Sequence, residues 1–288
     1  MPTIHHYISD LRAALQPYRT AQRIALVPTM GNLHDGHLEL VNIAKRHADI
    51  VVVSIFVNPT QFGVGEDFDS YPRTLDDDVA KLATVGADYV FAPTIDEMYP
   101  ILPPPTSVRA GEITSQLCGQ SRPHHFDGVG IVVSKLFNIV QPDVAVFGQK
   151  DYQQLAIIKQ LVRDLSYQIE IVGAPIIRAA DGLALSSRNQ YLSESERQKA
   201  PILQQELQYL AKQIGDTQQP LEALLAASRE RITNAGFIID YLEVKNAELT
   251  AVDYKEINSS AHKQDWVILV AAWLGRARLL DNHLVMVS

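Results

Sequence analysis

The sequence predicts an α/β protein: a doubly wound parallel sheet followed by a smaller C-terminal α+β domain. Three observations predict it. Short, nearly continuous apolar runs recur along the first 175 residues, as in strands buried on both faces. Segments of helical period separate them, and alternation of the two signals implies βαβ units with right-handed crossovers. After Gly173-Ala174-Pro175 the texture changes, so the boundary is set there, with domains 1–175 and 176–288.

The strand runs are Ile24–Val27, Ile50–Val57, Tyr89–Phe91, Val144–Phe147 and Ile169–Val172. Between them, Leu38, Val41, Ile43 and Ala44 suit one face of a helix, as do Val79, Leu82 and Ala83. Ile131, Leu136 and Ile139 mark a third helix, and Leu155, Ile158, Leu161 and Val162 a fourth. Past the boundary, Ser193 with Glu196 forms a capping-box pattern that opens a helix to about Gln213, and a second helical pattern covers Leu221 to Ile232. Trp266–Trp273 and Ala277–Leu280, around Gly275, read as a closing antiparallel hairpin.

Composition narrows the function. Hydrophobic residues make up 47% of the 288 and charged residues 20%, a globular profile. No apolar run reaches the roughly 18–20 residues of a membrane helix. Met1–Tyr18 carries His5, His6, Asp10 and Arg12 and no signal-peptide apolar stretch, so a cytoplasmic protein is expected. Cys118 is the single cysteine, which excludes an intrachain disulfide and fits a reducing compartment. The net charge of −8 and the lack of a Lys/Arg run argue against nucleic acid as a partner. An anionic substrate would therefore need locally placed positive groups.

Three strand ends carry unusual residues. Pro28–His37 follows the first strand, Asn58–Phe62 the second and Gly148–Asp151 the fourth. Ligands of open α/β sheets bind at the carboxyl ends of strands. In the first segment Gly31 and Gly36 remove side chains where a ligand could approach the backbone. His37 opens a helix, whose N-terminus favours anions, and His34 lies three residues earlier on the same side. Two imidazoles there can donate to phosphate oxygens. Zinc is the weaker reading, because no Cys or Glu at ligand spacing completes a set.

Lys150 supplies a point charge for phosphate, and Asp151 an acceptor for ribose or a partner for magnesium. One of Gln153 and Gln154 should face the cleft. Asp181–Asn189 offers Ser186, Ser187, backbone amides and Arg188 in a row, an anion clamp if it closes on the sheet. Asp76-Asp77-Asp78 reads either as an acidic helix N-terminus or as a water-mediated magnesium site, with Asp77 and Asp78 the candidate ligands.

Together these residues resemble a known family. Pro28–His37 is similar to the His-x-Gly-His signature of the nucleotidylyltransferase superfamily. With Phe56–Phe62, Tyr71–Thr74, Phe147–Gln154, Gly182–Asn189 and Ala271–Gly275 it resembles the pantoate–β-alanine ligases, over nearly the whole chain. The stretch 121–129 departs from that pattern at His124 and Asp127, while His125 still aligns.

The resemblance implies a Rossmann-like sheet and an ATP-dependent joining of pantoate to β-alanine through an acyl-adenylate. It places ATP on Met30, Gly31, Asn32, Leu33, His34, Asp35, Gly36, His37, Gly148, Gln149, Lys150, Asp151, Ile177, Leu185, Ser186, Ser187 and Arg188. His34, His37, Lys150 and Arg188 become the catalytic set, Gln61 and Gln154 the pantoate contacts, and Gln61 also the β-alanine contact. Asn58, Tyr71, Arg122 and His125 would contribute around them. It further implies Mg²⁺, a homodimer, and a C-terminal domain that acts as a lid.

Overall fold

The computed structural model describes residues 1–216, 219–250 and 266–285, with side chains up to residue 214 in the first of these stretches. It divides into two units. One comprises Met1–Gln149 and Gln153–Pro175, the other Lys150–Tyr152 and Ile176–Ser288.

The first unit runs β1 (Thr3–His5), α1 (Ile8–Leu15), β2 (Ile24–Thr29), α2 (Asp35–His47), β3 (Ile50–Ile55), α3 (Leu75–Thr84), β4 (Tyr89–Phe91), α4 (Ile95–Met98), α5 (Cys118–Ser121), α6 (His125–Val140), β5 (Val144–Gly148), α7 (Tyr152–Asp164) and β6 (Glu170–Ala174). Its six strands are all parallel, in the order β1-β4-β3-β2-β5-β6. The chain walks outward from β2 through β3 to β4, then returns to the other side of β2 as β5. The order therefore reverses between β2 and β5, where an open sheet leaves a crevice at its carboxyl edge.

Register decides what reaches that edge. Ile24 pairs with Ile50 and Thr29 with Ile55, so β2 and β3 end level. Leu26 pairs with Ala145, which carries Gly148 to the level of Thr29. The segments after β2, β3 and β5 thus leave the sheet side by side. The central strands are buried on both faces: Ala25, Leu26, Val27, Val51, Val52 and Val53 are fully enclosed.

Helix signals set the layers. The acidic residues Asp76, Asp77 and Asp78 occupy the first turn of α3, and Lys45, Arg46 and His47 the last turn of α2, each matched to the helix dipole. In α6 two glycines face neighbouring main chain. A Cβ at Gly128 would collide with the Thr60 carbonyl and stand 2.6 Å from the Gln61 nitrogen; one at Gly130 would stand 2.5 Å from the Val108 carbonyl. The start of α6 is therefore pressed against the backbone of residues 60–61, which matters below.

The second unit has α8 (Glu194–Lys199), α9 (Ile202–Asp216), α10 (Leu221–Asn234), β7 (Ile238–Asn246), β8 (Trp266–Leu274) and β9 (Ala277–Val285). The strands form an antiparallel sheet ordered β7-β8-β9. Leu203, Leu207, Leu210 and Ile214 of α9 and Leu221, Leu224, Leu225 and Ile232 of α10 build one core with Ile268, Val270 and Ala272 of β8.

Several elements differ from the sequence reading. The second sheet strand stops at Ile55 rather than Val57, because Asn58 caps a 3₁₀ turn entered through Pro59. Ser193 and Glu196 do form a capping box, but that helix is short: Pro201 lacks an N–H and cannot continue it, so α8 and α9 are separate. β6 extends through Gly173 and Ala174, into the stretch at which the sequence sets the domain boundary. β1 and β7 were not anticipated. The first has only three residues and the second alternates apolar with charged residues around a register shift at Ile239/Tyr241.

Candidate active site

The segment between β2 and α2 is held by buried groups of its own chain. Thr29 Oγ1 donates to the Ser54 carbonyl at 2.7 Å and accepts from the Gly31 amide at 3.3 Å. Gly31 and Asn32 both adopt left-handed backbone, at φ 84° and 51°, and a Cβ at Gly31 would meet Asp78 Oδ2 at 3.0 Å. Asp78 is fully buried. Its Oδ2 accepts from the Asn32 amide at 2.9 Å and from Thr74 Oγ1 at 3.1 Å, and its Oδ1 accepts from the Leu33 amide at 2.7 Å. Lys81, one turn on, donates to the Leu33 carbonyl at 2.7 Å. The first turn of α3 thus clamps the segment that leads into the histidines.

His34 is the N-cap of α2 and His37 its third residue, and together they make a capping box. His34 Nδ1 accepts from the Gly36 amide at 3.1 Å, and His37 Nδ1 accepts from the His34 amide at 3.3 Å. Acceptance at Nδ1 places the N–H of each ring on Nε2. Their centroids lie 4.1 Å apart at an interplanar angle of 38°. The result is two imidazole N–H donors, side by side, at the positive end of a helix that starts from the carboxyl edge of the sheet.

The segment after β3 is organised by Asn58, which is almost completely buried. Its Oδ1 accepts from Thr60 Oγ1 at 2.9 Å and Tyr99 OH at 2.9 Å, and its Nδ2 donates to Gln61 Oε1 at 3.0 Å and the Gly128 carbonyl at 3.1 Å. Burial pushes the Tyr99 hydroxyl up to about 12. Gln61 Nε2 in turn donates to Met30 Sδ at 3.3 Å. The structure thereby brings Gln61 to the end of β2, joining the first and second strand-end segments. Tyr71 is buried and packs edge-on against Phe62 at 6.0 Å.

The two glutamines of α7 separate. Gln153 is buried and fully engaged: its Oε1 accepts from the Cys118 amide at 3.1 Å, and its Nε2 donates to the carbonyls of Ile113 at 2.8 Å and Gln116 at 2.7 Å. That leaves Gln154, half-buried, as the glutamine of this pair available to a ligand. Gly148 ends β5 with nothing within 4 Å of a built Cβ, so no packing in the protein requires glycine there.

Within the second unit, Lys150 Nζ lies 3.4 Å from Asp151 Oδ1, and the Lys150 carbonyl accepts from Asn282 Nδ2 at 3.0 Å. Ile177 and Leu185 face each other across a small hairpin, the Leu185 amide donating to the Ile177 carbonyl at 2.9 Å. Arg178 braces that hairpin with a forked pair to buried Asp281, at 2.7 and 2.8 Å, and donates to the Gly182 carbonyl at 3.1 Å. Ser186 caps a 3₁₀ turn, its hydroxyl accepting from the Arg188 amide at 3.3 Å. Ser186, Ser187 and Arg188 are thus presented in a defined turn.

The magnesium reading of Asp77 and Asp78 does not fit this geometry. Asp77 is exposed and Asp78 is enclosed with both oxygens taken by hydrogen bonds from the chain. Among the described residues no group of three or more His, Cys, Asp or Glu could hold a metal ion. Sequence reasoning missed the clamp, although a signal was present: Asp78 shares the helix face of Leu75 and Leu82, whereas Asp76 and Asp77 point away from it. No helix among the described residues is long and apolar enough to cross a membrane, and Cys118 is buried and in no disulfide among the described residues.

A parallel sheet with a His-x-Gly-His turn opening the helix after its central strand defines a nucleotidylyltransferase-type α/β protein. Comparison with known proteins narrows the class. A family profile described as pantoate-beta-alanine ligase matches residues 3–284. The pantothenate synthetase of Psychrobacter cryohalolentis is 83% identical over 288 residues, covering 100% of this chain and 99% of the relative. That of Acinetobacter baumannii is 53% identical over 276 residues, covering 96% of this chain and 95% of the relative. Among solved structures, pantothenate synthetase from Thermus thermophilus superposes with a TM-score of 0.88 at 42% identity, over 99% of both chains. Pantoate-beta-alanine ligase from Francisella tularensis, solved with beta-gamma ATP and beta-alanine, gives 0.80 at 33% identity, over 99% of this chain and 98% of the other. The chain belongs to the pantoate–β-alanine ligase family.

Proposed function

We propose that the chain condenses pantoate with β-alanine at the expense of ATP, forming pantothenate, AMP and pyrophosphate through a pantoyl-adenylate. The observation that carries the reading is the pair of Nε2–H donors of His34 and His37 at the N-terminus of α2. Such a pair suits an anion whose charge shifts during reaction. In the first half-reaction the pantoate carboxylate attacks the α-phosphorus and pyrophosphate departs. His34 and His37 donate to phosphate oxygens, while Lys150 and Arg188, with the hydroxyls of Ser186 and Ser187, stabilise charge on the leaving group. In the second, the amine of β-alanine attacks the acyl carbon and AMP leaves.

Neither step needs a nucleophile from the protein, so its work is positioning and charge compensation. Gln61 and Gln154 orient pantoate with neutral hydrogen bonds, and Gln61 also borders the β-alanine site. Met30–His37, Gly148–Asp151, Ile177 and Leu185–Arg188 line the nucleotide, with Gly148 leaving room for its approach. Magnesium belongs to the reading as an ion carried on the nucleotide phosphates with most of its waters kept. Residues 176–288 act as a lid, a reading supported by the hydroxyls and guanidinium that the Ser186–Arg188 turn carries. A cytoplasmic homodimer is part of the same reading, the compartment supported by the single cysteine of the chain and the dimer by the family resemblance.

The test is an assay of pyrophosphate and AMP with pantoate, ATP and Mg²⁺, with β-alanine present or omitted. Pyrophosphate without β-alanine and AMP only on its addition is the expected result. AMP release that ignores β-alanine would overturn the reading.

A further inference from the structure

Around the main chain of Gln61 lies a cluster that the proposed chemistry does not use directly. The Gln61 carbonyl accepts from His125 Nδ1 at 2.7 Å and from Arg122 Nη2 at 3.4 Å. Arg122 Nη1 donates to His125 Nε2 at 3.1 Å, which leaves the His125 proton on Nδ1, facing Gln61. Glu66 holds Arg122 by a fork, Oε1 accepting from Nε at 2.7 Å and Oε2 from Nη2 at 2.5 Å. Both side chains are largely withdrawn from solvent, at 17% and 24% exposure. Burial alone would raise the Glu66 carboxyl, but the Arg122 hydrogen bonds and charge outweigh it and hold the group below its usual range. The pair is therefore an ion pair at neutral pH.

The dependencies run one way. Glu66 fixes the plane of Arg122, Arg122 fixes the tautomer of His125, and both donors converge on one carbonyl. On the other side the first turn of α6 presses on the same peptide, since a Cβ at Gly128 would strike Thr60 and Gln61. The Gln61 side chain emerges from this bracket already tied through Oε1 to Asn58. A short loop containing Gly63 and Gly65 joins Gln61 to Glu66, so without the fork the peptide carrying Gln61 loses an anchor on its C-terminal side.

We infer that Glu66 and Arg122 are positioning residues for the acid substrate, acting through His125 and the Gln61 carbonyl to aim the Gln61 amide. The inference rests on the reading of Gln61 as a pantoate contact. Its measurable sign is selective: pantoate use suffers and ATP use does not.

Steady-state kinetics on the full chain tests it, comparing Glu66→Ala, Glu66→Gln, Arg122→Lys, Gln61→Ala and the Glu66→Ala/Gln61→Ala double variant. Glu66→Ala is expected to raise the pantoate KM roughly tenfold, below the about hundredfold that a 1 Å misplacement of a reacting group costs, with ATP KM changed less than about twofold. Glu66→Gln keeps an acceptor for Arg122 and should fall between parent and Glu66→Ala. Arg122→Lys loses the fork and should resemble Glu66→Ala. If Glu66 acts through Gln61, the double variant has the pantoate KM of Gln61→Ala alone. Multiplying effects in the double variant, or an equal rise in ATP KM, overturn the positioning role while leaving Gln61 as a pantoate contact. An unchanged pantoate KM in Gln61→Ala overturns both. Should Glu66→Ala fail to fold, Glu66→Gln and Arg122→Lys carry the same comparison.

Discussion

Replacing Asp78 by Asn tests whether a buried carboxylate, rather than a metal, shapes the phosphate-facing turn. The two side chains have the same size, so packing is unchanged and only hydrogen bonding differs. Asp78 offers two acceptor oxygens to two backbone amides and one hydroxyl. Asparagine offers one oxygen and one NH₂ group. In one orientation the NH₂ faces the Leu33 amide, in the other the Asn32 amide. Either way one buried backbone N–H meets a donor and is left unsatisfied, a cost of about 1–3 kcal/mol. The bonds that remain also lose charge assistance, which brings the total to roughly 2–4 kcal/mol. For a unit of this size that corresponds to a fall in Tm of roughly 5–15 °C. Thermal unfolding by circular dichroism reads the stability, and turnover with ATP varied reads the turn. Because His34 follows Leu33 directly, ATP KM should rise together with the loss of stability. The Mg²⁺ dependence separates the two explanations: a lost metal ligand is compensated by raising Mg²⁺, a broken clamp is not. Restoration of activity by excess Mg²⁺, or an unfolding midpoint equal to that of the parent, would refute the reasoning.

The remaining predictions concern neighbouring groups. Gly148→Ala adds a methyl that meets nothing in the protein, so stability should stay within about 0.5 kcal/mol while ATP KM rises; an unchanged KM would remove Gly148 from the nucleotide site. Tyr99 has its hydroxyl raised from 10 to about 12 by burial, so its contribution to stability is complete below pH 10 and is lost as pH climbs towards 12. Ultraviolet titration should show two late phenolate steps, from Tyr89 and Tyr99, and Tyr99→Phe should abolish one of them. His37→Ala should slow pyrophosphate release by about 10²–10³, the scale for one preorganised donor. His37→Gln, which keeps both a capping acceptor and an N–H donor, should retain clearly more activity in the same assay.

Much of the candidate site was legible because its residues sit in contiguous strand-end segments. His34, His37 and Gly31 could be read from one stretch, and burial of the preceding strand from four apolar residues. The alternation of strand and helix signals likewise set the sheet class. What stayed hidden depends on distant partners. Asp78 clamps residues more than forty positions earlier, and nothing local distinguishes it from Asp77 except helix phase. The engagement of Gln153 by the carbonyls of Ile113 and Gln116 also depends on a distant stretch without a periodic signal. β7 escaped because its charged residues resemble a solvated segment, and its pairing to β8 joins positions as far apart as Ile238 and Trp273.

The capping box also explains why histidine serves at positions 34 and 37. Each Nδ1 accepts a backbone N–H, so a proton added there would set donor against donor and break the helix cap. The rings thus present their donors at Nε2, oriented by the backbone bonds at Nδ1. A neutral donor fixed by the backbone interacts less with resting triphosphate than a full charge would, and it cannot drift as a long lysine can. Its advantage grows where charge accumulates during bond breaking, because the dipole already points there and nothing must reorganise. Full positive charge is left to Lys150 and Arg188, which the proposed reaction places on the departing pyrophosphate. The same economy recurs at Gln61, whose amide is neutral and whose carbonyl is anchored by His125 and Arg122. Donors locked by main-chain bonds and cations reserved for the leaving group are what a reaction without a protein nucleophile requires, since geometry and charge compensation are then the only means of lowering its barrier.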